Sequence, residues 1–149
     1  MRSRELRLRY SALRRLSSGA AESSVATVLI ADNDAEVSSL LADVLVRNGL
    51  SVQVCFDGEA ASALARSQSI RVLVCDLDMP RASGLEVVES LRALPTQPAV
   101  VVISGYLDPG VEARLVVLPF VREILRKPFD LLDFARRVVE LAGAQAAEG

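Results

Sequence analysis

Five short apolar runs, each closed by polar residues and followed by a stretch of helical periodicity, leave this chain few ways to fold. The runs are 25–31 (VATVLIA), 51–56 (SVQVCF), 72–75 (VLVC), 99–103 (AVVVI) and 121–126 (VREILR). The first, third and fourth are near-continuous blocks of Val, Leu and Ile, as in strands buried on both faces of a parallel sheet. Residues 51–56 alternate instead. The third run passes directly into Asp76, Asp78, Met79 and Pro80. Proline cannot donate to a sheet ladder and biases its predecessor away from helix, so this strand must stop near Asp76. A carboxylate is therefore held at the carboxyl end of a buried strand.

Between the runs lie the helices. Asp34 is placed as an N-cap for Val37, Leu40, Leu41, Val44 and Leu45, with Asn48-Gly49 closing the helix. A second helix runs from Asp57-Gly58 to about Ser67. Residues 84–94 form a third, stopped by Pro95 and Pro98. Residues 108–117 form a weaker fourth, with Pro109 near its first turn. Residues 130–142 form the last, with Leu131, Phe134, Val138 and Leu141 on its apolar face. Strand and helix alternating five times demand a parallel sheet covered on both sides. The expected class is α/β, a doubly wound (βα)5 five-stranded parallel sheet in the flavodoxin-like order 2-1-3-4-5.

Composition narrows the chemistry. At 149 residues with 51% hydrophobic content, the chain is one domain able to bury a real core. No apolar run approaches the 18 or so residues of a membrane span, and a cytoplasmic location is expected. Histidine is absent, which excludes Ser–His and Cys–His catalysis and most zinc sites. Cys55 and Cys75 lie in apolar runs without CxxC spacing and read as small buried hydrophobes. No glycine-rich phosphate loop is visible. Sixteen arginines stand against one lysine, Lys127. Residues 1–24 hold six arginines against Glu5 and Glu22, a charge of +4 that leaves −6 for the remainder. This basic stretch reads as a disordered arm, the alternatives being an arm for an acidic partner, nucleic acid or membrane surface, or a transit peptide. The domain is expected over 25–143, with a short tail at 144–149.

The polar residues collect at strand ends: Asp32, Asn33 and Asp34 after the first, Asp76 after the third, Ser104 after the fourth, Lys127 after the fifth. In the 2-1-3-4-5 order the first and third strands flank the topological switch point, where ligands bind. Two carboxylates close together there repel, raising one pKa or recruiting a cation. Oxygen ligands suit a hard divalent ion, magnesium above all. A divalent ion, an ammonium and a hydroxyl around one carboxylate would stabilise a phosphoryl group arriving on it.

Over about residues 25–143 the chain resembles the receiver domain of two-component response regulators. The matching pieces are LIADND (29–34), DLDMP (76–80), SG (104–105) and KPF (127–129), with DGEAA (57–61) and Gly84. The resemblance implies that Asp76 is phosphorylated by a sensor histidine kinase or histidine phosphotransfer protein with Mg²⁺ as cofactor. It implies a metal site of Asp32, Asn33, Asp76 and the Asp78 carbonyl, with Asp32 orienting a metal-bound water. Ser104 would hydrogen-bond the phosphoryl group and drive the switch, and Lys127 would pair with it. That Lys127 is the only lysine supports the assignment, since a compact ammonium is not freely exchanged for guanidinium.

Three departures stand out. Asn33 occupies a position the family usually fills with an acid. Ile124 occupies one where Tyr or Phe is common as a rotameric switch, for which Tyr106 is a candidate substitute. Residues 114–122, RLVVLPFVR, replace the usual glycine-containing link; they read as a distorted helix packed on the core or as an apolar docking patch. With no output segment after the last helix, a stand-alone receiver acting on a separate, unidentified target is expected, with no direct nucleic-acid binding and no enzymatic activity beyond its own phosphorylation chemistry. A degenerate receiver signalling without phosphorylation is the alternative. Asp76-x-Asp78 also resembles the nucleophile pair of haloacid-dehalogenase-type phosphatases, but Met79-Pro80 do not continue that pattern.

Overall fold

The computed structural model describes residues 28–67, 69–79 and 83–148. The basic arm, 1–24, and the start of the run 25–31 lie outside the described residues. The strands are β1 (Val28–Ala31), β2 (Val52–Cys55), β3 (Val72–Asp76), β4 (Ala99–Ser104) and β5 (Val121–Arg126). All pair in parallel, in the order β2-β1-β3-β4-β5. The helices are α1 (Ala35–Arg47), α2 (Gly58–Ser67), α3 (Gly84–Ser90), α4 (Pro109–Val116) and α5 (Leu131–Glu148), with a 3₁₀ turn at Leu91–Ala93.

The period of two along each strand divides the core into two layers. Val28, Ile30, Val72, Val74, Val101 and Ile103 face α1 and α5, where Leu45, Phe134 and Val138 meet them. Leu29, Leu73, Cys75, Val100 and Val102 face the other way, toward Val87, Val88 and Leu91 around α3 and toward Leu115 of α4. The three central strands are buried throughout, whereas the edge strands β2 and β5 are only partly so. Burying each large core side chain contributes about 1.5–3 kcal/mol, which makes this two-sided layer the main source of stability. In β5 the register slips between Val100 and Val101, leaving Arg122 as an extra residue. Such a bulge lets Val121 and Ile124, three apart, pack in one layer while Leu125 packs in the other.

Three boundaries or faces differ from the sequence expectation. Leu40 is 55% exposed, because α1 packs through Ser38, Leu41, Ala42 and Leu45. Apolar periodicity overlooks small buried residues such as Ser38, whose hydroxyl donates to the Ala35 carbonyl at 3.2 Å. The α-helical part of 84–94 ends at Ser90; the 3₁₀ turn follows and Leu94 is extended, as a residue before proline prefers. The last helix continues to Glu148, where alanines carry it through residues read as a tail.

Helix α1 closes as Asn48-Gly49 implied. Gly49 has φ +89°, its N–H donates to the Val46 carbonyl at 2.9 Å, and Leu50 N–H donates to the Leu45 carbonyl at 3.1 Å. This is a Schellman closure. Nothing lies within 4 Å of where a Cβ would stand, so Gly49→Ala meets only backbone strain. It should lower unfolding free energy by about 1–2 kcal/mol, read from the urea midpoint; an unchanged midpoint would refute the left-handed requirement.

Candidate functional site

Parallel register brings the strand ends to one edge of the sheet. Ala31 lies beside Cys75, and Asp76 beside Ile103, so Asp32 and Asp76 emerge as neighbours. Ser104 pairs with Arg126, and Lys127 N–H donates to the Ser104 carbonyl at 2.9 Å. That bond aims the lysine back across the sheet edge. Its ammonium reaches Asp76 Oδ2 at 3.4 Å, with the Asp76 side chain 3% exposed. The other oxygen, Oδ1, accepts the Asp78 N–H at 3.0 Å.

Asp32 is equally buried. Its Oδ1 accepts the Asp34 N–H at 2.8 Å, while Oδ2 is buried with no hydrogen-bond partner among the described residues. Burial is the main force that raises the Asp32 pKa to about 6; the charge of Asp76 adds to it, and the Asp34 N–H and Lys127 oppose it. A buried acceptor with no donor is costly unless a cation or water answers it. Among the described residues no group of three His, Cys, Asp or Glu side chains could hold a metal. The donor set is instead two carboxylates, with the exposed Asn33 amide and the Asp78 carbonyl available in sequence beside them. All are hard oxygens, and the unanswered Asp32 Oδ2 is where such a set would meet a divalent cation.

Asp32, Asp76 and Lys127 are thus brought together. Ser104 is fully buried at the same edge, but its hydroxyl donates to the Tyr106 carbonyl at 2.6 Å. Asn33 and Asp78 are exposed. Asp34 is committed elsewhere, its Oδ1 accepting Glu36 and Val37 N–H at 3.0 and 3.2 Å as the α1 N-cap. Both cysteines are buried and free. Burial pushes the Cys55 thiol up to about 12 and the Cys75 thiol higher still, so neither is a nucleophile. Two features of this edge were not expected from the sequence. The Ser83–Glu86 capping box fixes the start of α3, and its S-x-x-E signature was there to be read. The Tyr106 carbonyl is backbone, which leaves no sequence signal.

With this geometry in place, comparison with known proteins is decisive. The family model of the response regulator receiver domain matches residues 28–139. The chain belongs to that family.

Over 123 residues the receiver is 34% identical to a protein-glutamate methylesterase/protein-glutamine glutaminase 1 of Anaeromyxobacter dehalogenans, covering 78% of this chain and 35% of that one. It is 31% identical over 128 residues to the transcriptional regulatory protein TctD of Salmonella typhimurium, covering 81% and 54%. To CpxR of Escherichia coli it is 35% identical over 113 residues, covering 74% and 47%. The chain therefore spans between a third and about half of these relatives. Its fold matches a CheY-like receiver of Methanospirillum hungatei JF-1 with TM-score 0.76 at 18% identity, covering 84% of this chain and 99% of that one. It also matches the Francisella response regulator 1452 receiver domain with TM-score 0.71 at 24% identity, covering 80% and 98%.

The raised Asp32 pKa sets a pH dependence for the metal-free receiver. Because the folded pKa of this acid exceeds its unfolded value, the folded state is penalised once Asp32 ionises. The penalty is full above about pH 6 and vanishes below the ordinary aspartate value of 3.8. Asp32→Asn should therefore stabilise the metal-free protein at pH 7 by on the order of 1–3 kcal/mol, with no gain left at pH 3.5. Urea titrations in chelator at both pH values test this; equal effects at the two would refute it.

Proposed function

We propose that this receiver accepts a phosphoryl group on Asp76 from a histidine kinase or histidine phosphotransfer protein and signals by a change in its binding surface. One observation carries the reading: a buried carboxylate at the end of β3 faces the chain's only lysine at 3.4 Å, with a second buried carboxylate beside it. In the transfer, an Asp76 oxygen bonds to phosphorus as the donor's P–N bond breaks, giving an aspartyl phosphate. Lys127 offsets the charge of the arriving oxygens. Bound Mg²⁺, held by Asp32, Asp76, the Asn33 amide and the Asp78 carbonyl, would neutralise the phosphoryl charge as it develops.

Ser104 links the site to the surface. Its hydroxyl must leave the Tyr106 carbonyl to meet a phosphoryl oxygen, which frees the loop after β4. The usual aromatic position holds Ile124, which packs in the layer with α3 and α4. Next along the chain from that loop, Tyr106, Val116 and Val117 are 78%, 62% and 70% exposed, while Leu115 and Leu118 are buried. Residues 114–122 are thus core on one side and apolar surface on the other. That exposed side supports a stand-alone receiver whose output is a docked partner. The degenerate reading draws on Asn33 and Ile124.

Acetyl phosphate with Mg²⁺, followed by Phos-tag electrophoresis and mass spectrometry, separates the two readings. The wild type should gain one acid-stable, base-labile phosphoryl group, and Asp76→Asn should gain none. Labelling retained by Asp76→Asn would refute the assignment, and an unlabelled wild type would favour the degenerate reading.

Asn33 sets how tightly the ion is held. A charge pair at ~4 Å and an effective dielectric of ~20 is worth about 4 kcal/mol, doubled for a divalent ion. Most of this is offset, because a carboxylate there would also be desolvated and repelled by its neighbours. The net loss is roughly 1–2 kcal/mol, or about five- to thirtyfold in affinity. Asn33→Asp should bind Mg²⁺ more tightly by that factor and phosphorylate faster, as calorimetry and acetyl phosphate kinetics would show. Equal affinities would mean that Asp34 leaves its cap to supply the charge.

A further inference from the structure

Where β3 gives way to α3, a glycine sits where no side chain fits. A Cβ on Gly84 would lie 2.4 Å from the Asp76 carbonyl oxygen, 2.6 Å from Leu77 Cα and 3.0 Å from the Asp76 carbonyl carbon. All three are backbone atoms, so nothing flexible can swing aside. Backbone conformation is not the reason for this glycine, because among the described residues the positive-φ glycine is Gly49. The requirement at residue 84 is space.

The close approach is secured from several directions. Gly84 N–H donates to the Leu77 carbonyl at 3.1 Å. The buried Cys75 thiol lies 3.6 Å from the Asp76 carbonyl oxygen and 3.9 Å from that of Gly84. Ser83 and Glu86 cap each other's backbone and hold the first turn of α3 in place.

We propose that Gly84 is a positioning residue for phosphoryl transfer: its bare Cα lets α3 close on Asp76–Leu77 and so sets the direction of the Asp76 carboxylate and the Asp78 carbonyl. This rests on the reading of Asp76 as phosphoacceptor. A side chain at 84 must displace the backbone it meets. Upstream, Asp76 is fixed by its pairing with Ile103, and Leu77 N–H donates to the Ile103 carbonyl at 3.1 Å. The displacement is therefore taken up by Leu77 and Asp78, whose N–H holds Asp76 Oδ1. Mg²⁺ accepts little departure from octahedral geometry at about 2.0–2.1 Å, so a shift of a few tenths of an ångström reaches the chemistry.

The test uses the full chain as wild type, Gly84→Ala, Val88→Ala and Ser83→Ala. Three quantities are read: Mg²⁺ affinity by calorimetry, phosphorylation rate by acetyl phosphate across Mg²⁺ concentrations, and the urea midpoint. In the labelling step the P–O bond to acetate breaks as the P–O bond to Asp76 forms. Gly84→Ala should weaken Mg²⁺ binding about tenfold or more and remain slow at saturating Mg²⁺, as misplaced groups do. Val88→Ala, buried one turn further along the same helix among side chains of the core layer rather than against the loop backbone, should lose stability, as large-to-small core changes do, yet keep affinity and rate within about twofold. Wild-type affinity and rate in Gly84→Ala would overturn the proposal. Should Gly84→Ala not fold, Ser83→Ala decides, because a released first turn should weaken Mg²⁺ binding roughly threefold; unchanged affinity there overturns the proposal. A wild type that neither binds Mg²⁺ nor takes up phosphoryl overturns the phosphoacceptor reading, and the proposal with it.

Discussion

The repulsion between Asp32 and Asp76, offset in part by Lys127, is the constraint that the rest of the edge serves. Burial strips Asp32 of solvating water, and the charge of Asp76 adds to that effect, which is why the Asp32 proton is held to about pH 6. The fold keeps them together because neither carboxylate can retreat. Asp32 is tied to the Asp34 N–H and to the Cys55 carbonyl through its own N–H. Asp76 ends a strand paired on both sides. The stability of two hydrophobic layers thus maintains an arrangement that is unfavourable in isolation. Such local conflict within a consistent fold marks a functional site.

Much of this was legible in the sequence because it follows from period and punctuation. The order of the sheet, the Asp34 cap, the Gly49 closure and the strand-end positions of Asp32, Asp76, Ser104 and Lys127 all rest on local chemistry. What stayed hidden depends on the phase of packing or on backbone atoms. Leu40 matched an apolar period yet faces solvent, since Ser38 and Ala42 take the buried side. Ser104 stands at the strand end where the sequence placed it, but its present partner is a carbonyl that no residue type announces. Gly84 was visible as a glycine, while the reason for it is a crowded contact between segments that only the fold creates.

Asn33 and Asp34 show how neighbouring acids come to differ in availability. Asp34 sits one residue from Asn33, the proposed metal position, and by charge alone it could replace the carboxylate that Asn33 lacks. Its Oδ1 already accepts two N–H groups at the start of α1. Leaving them would uncap the helix, a loss of about 1 kcal/mol. That is comparable to the net electrostatic gain expected from one more charge at a half-solvated ion. The two effects nearly balance, so the cap restrains Asp34 from doing the work of the absent acid.

The same accounting of anchors locates where a signal can travel. Within α4 only Leu115 is buried, whereas α5 presents Phe134, Ala135, Val138, Leu141 and Ala142 to the sheet. Helix α4 is otherwise held by the half-buried Val111 against the same core layer, by Arg114 to Glu89 of α3 and by Glu112 to Arg126 of β5, the last at 3.6 Å. The Glu112–Arg126 pair is solvent-facing and resists displacement weakly, while Arg114 donates from two nitrogens to the half-buried Glu89. An element with few buried contacts is drawn from the low-stability end of the fold and moves at least expense. The loop that Ser104 now holds leads directly into it. On the proposed reading, in which a phosphoryl oxygen would draw the hydroxyl of Ser104 away, the first element free to answer is the one that carries Val116 on its exposed side.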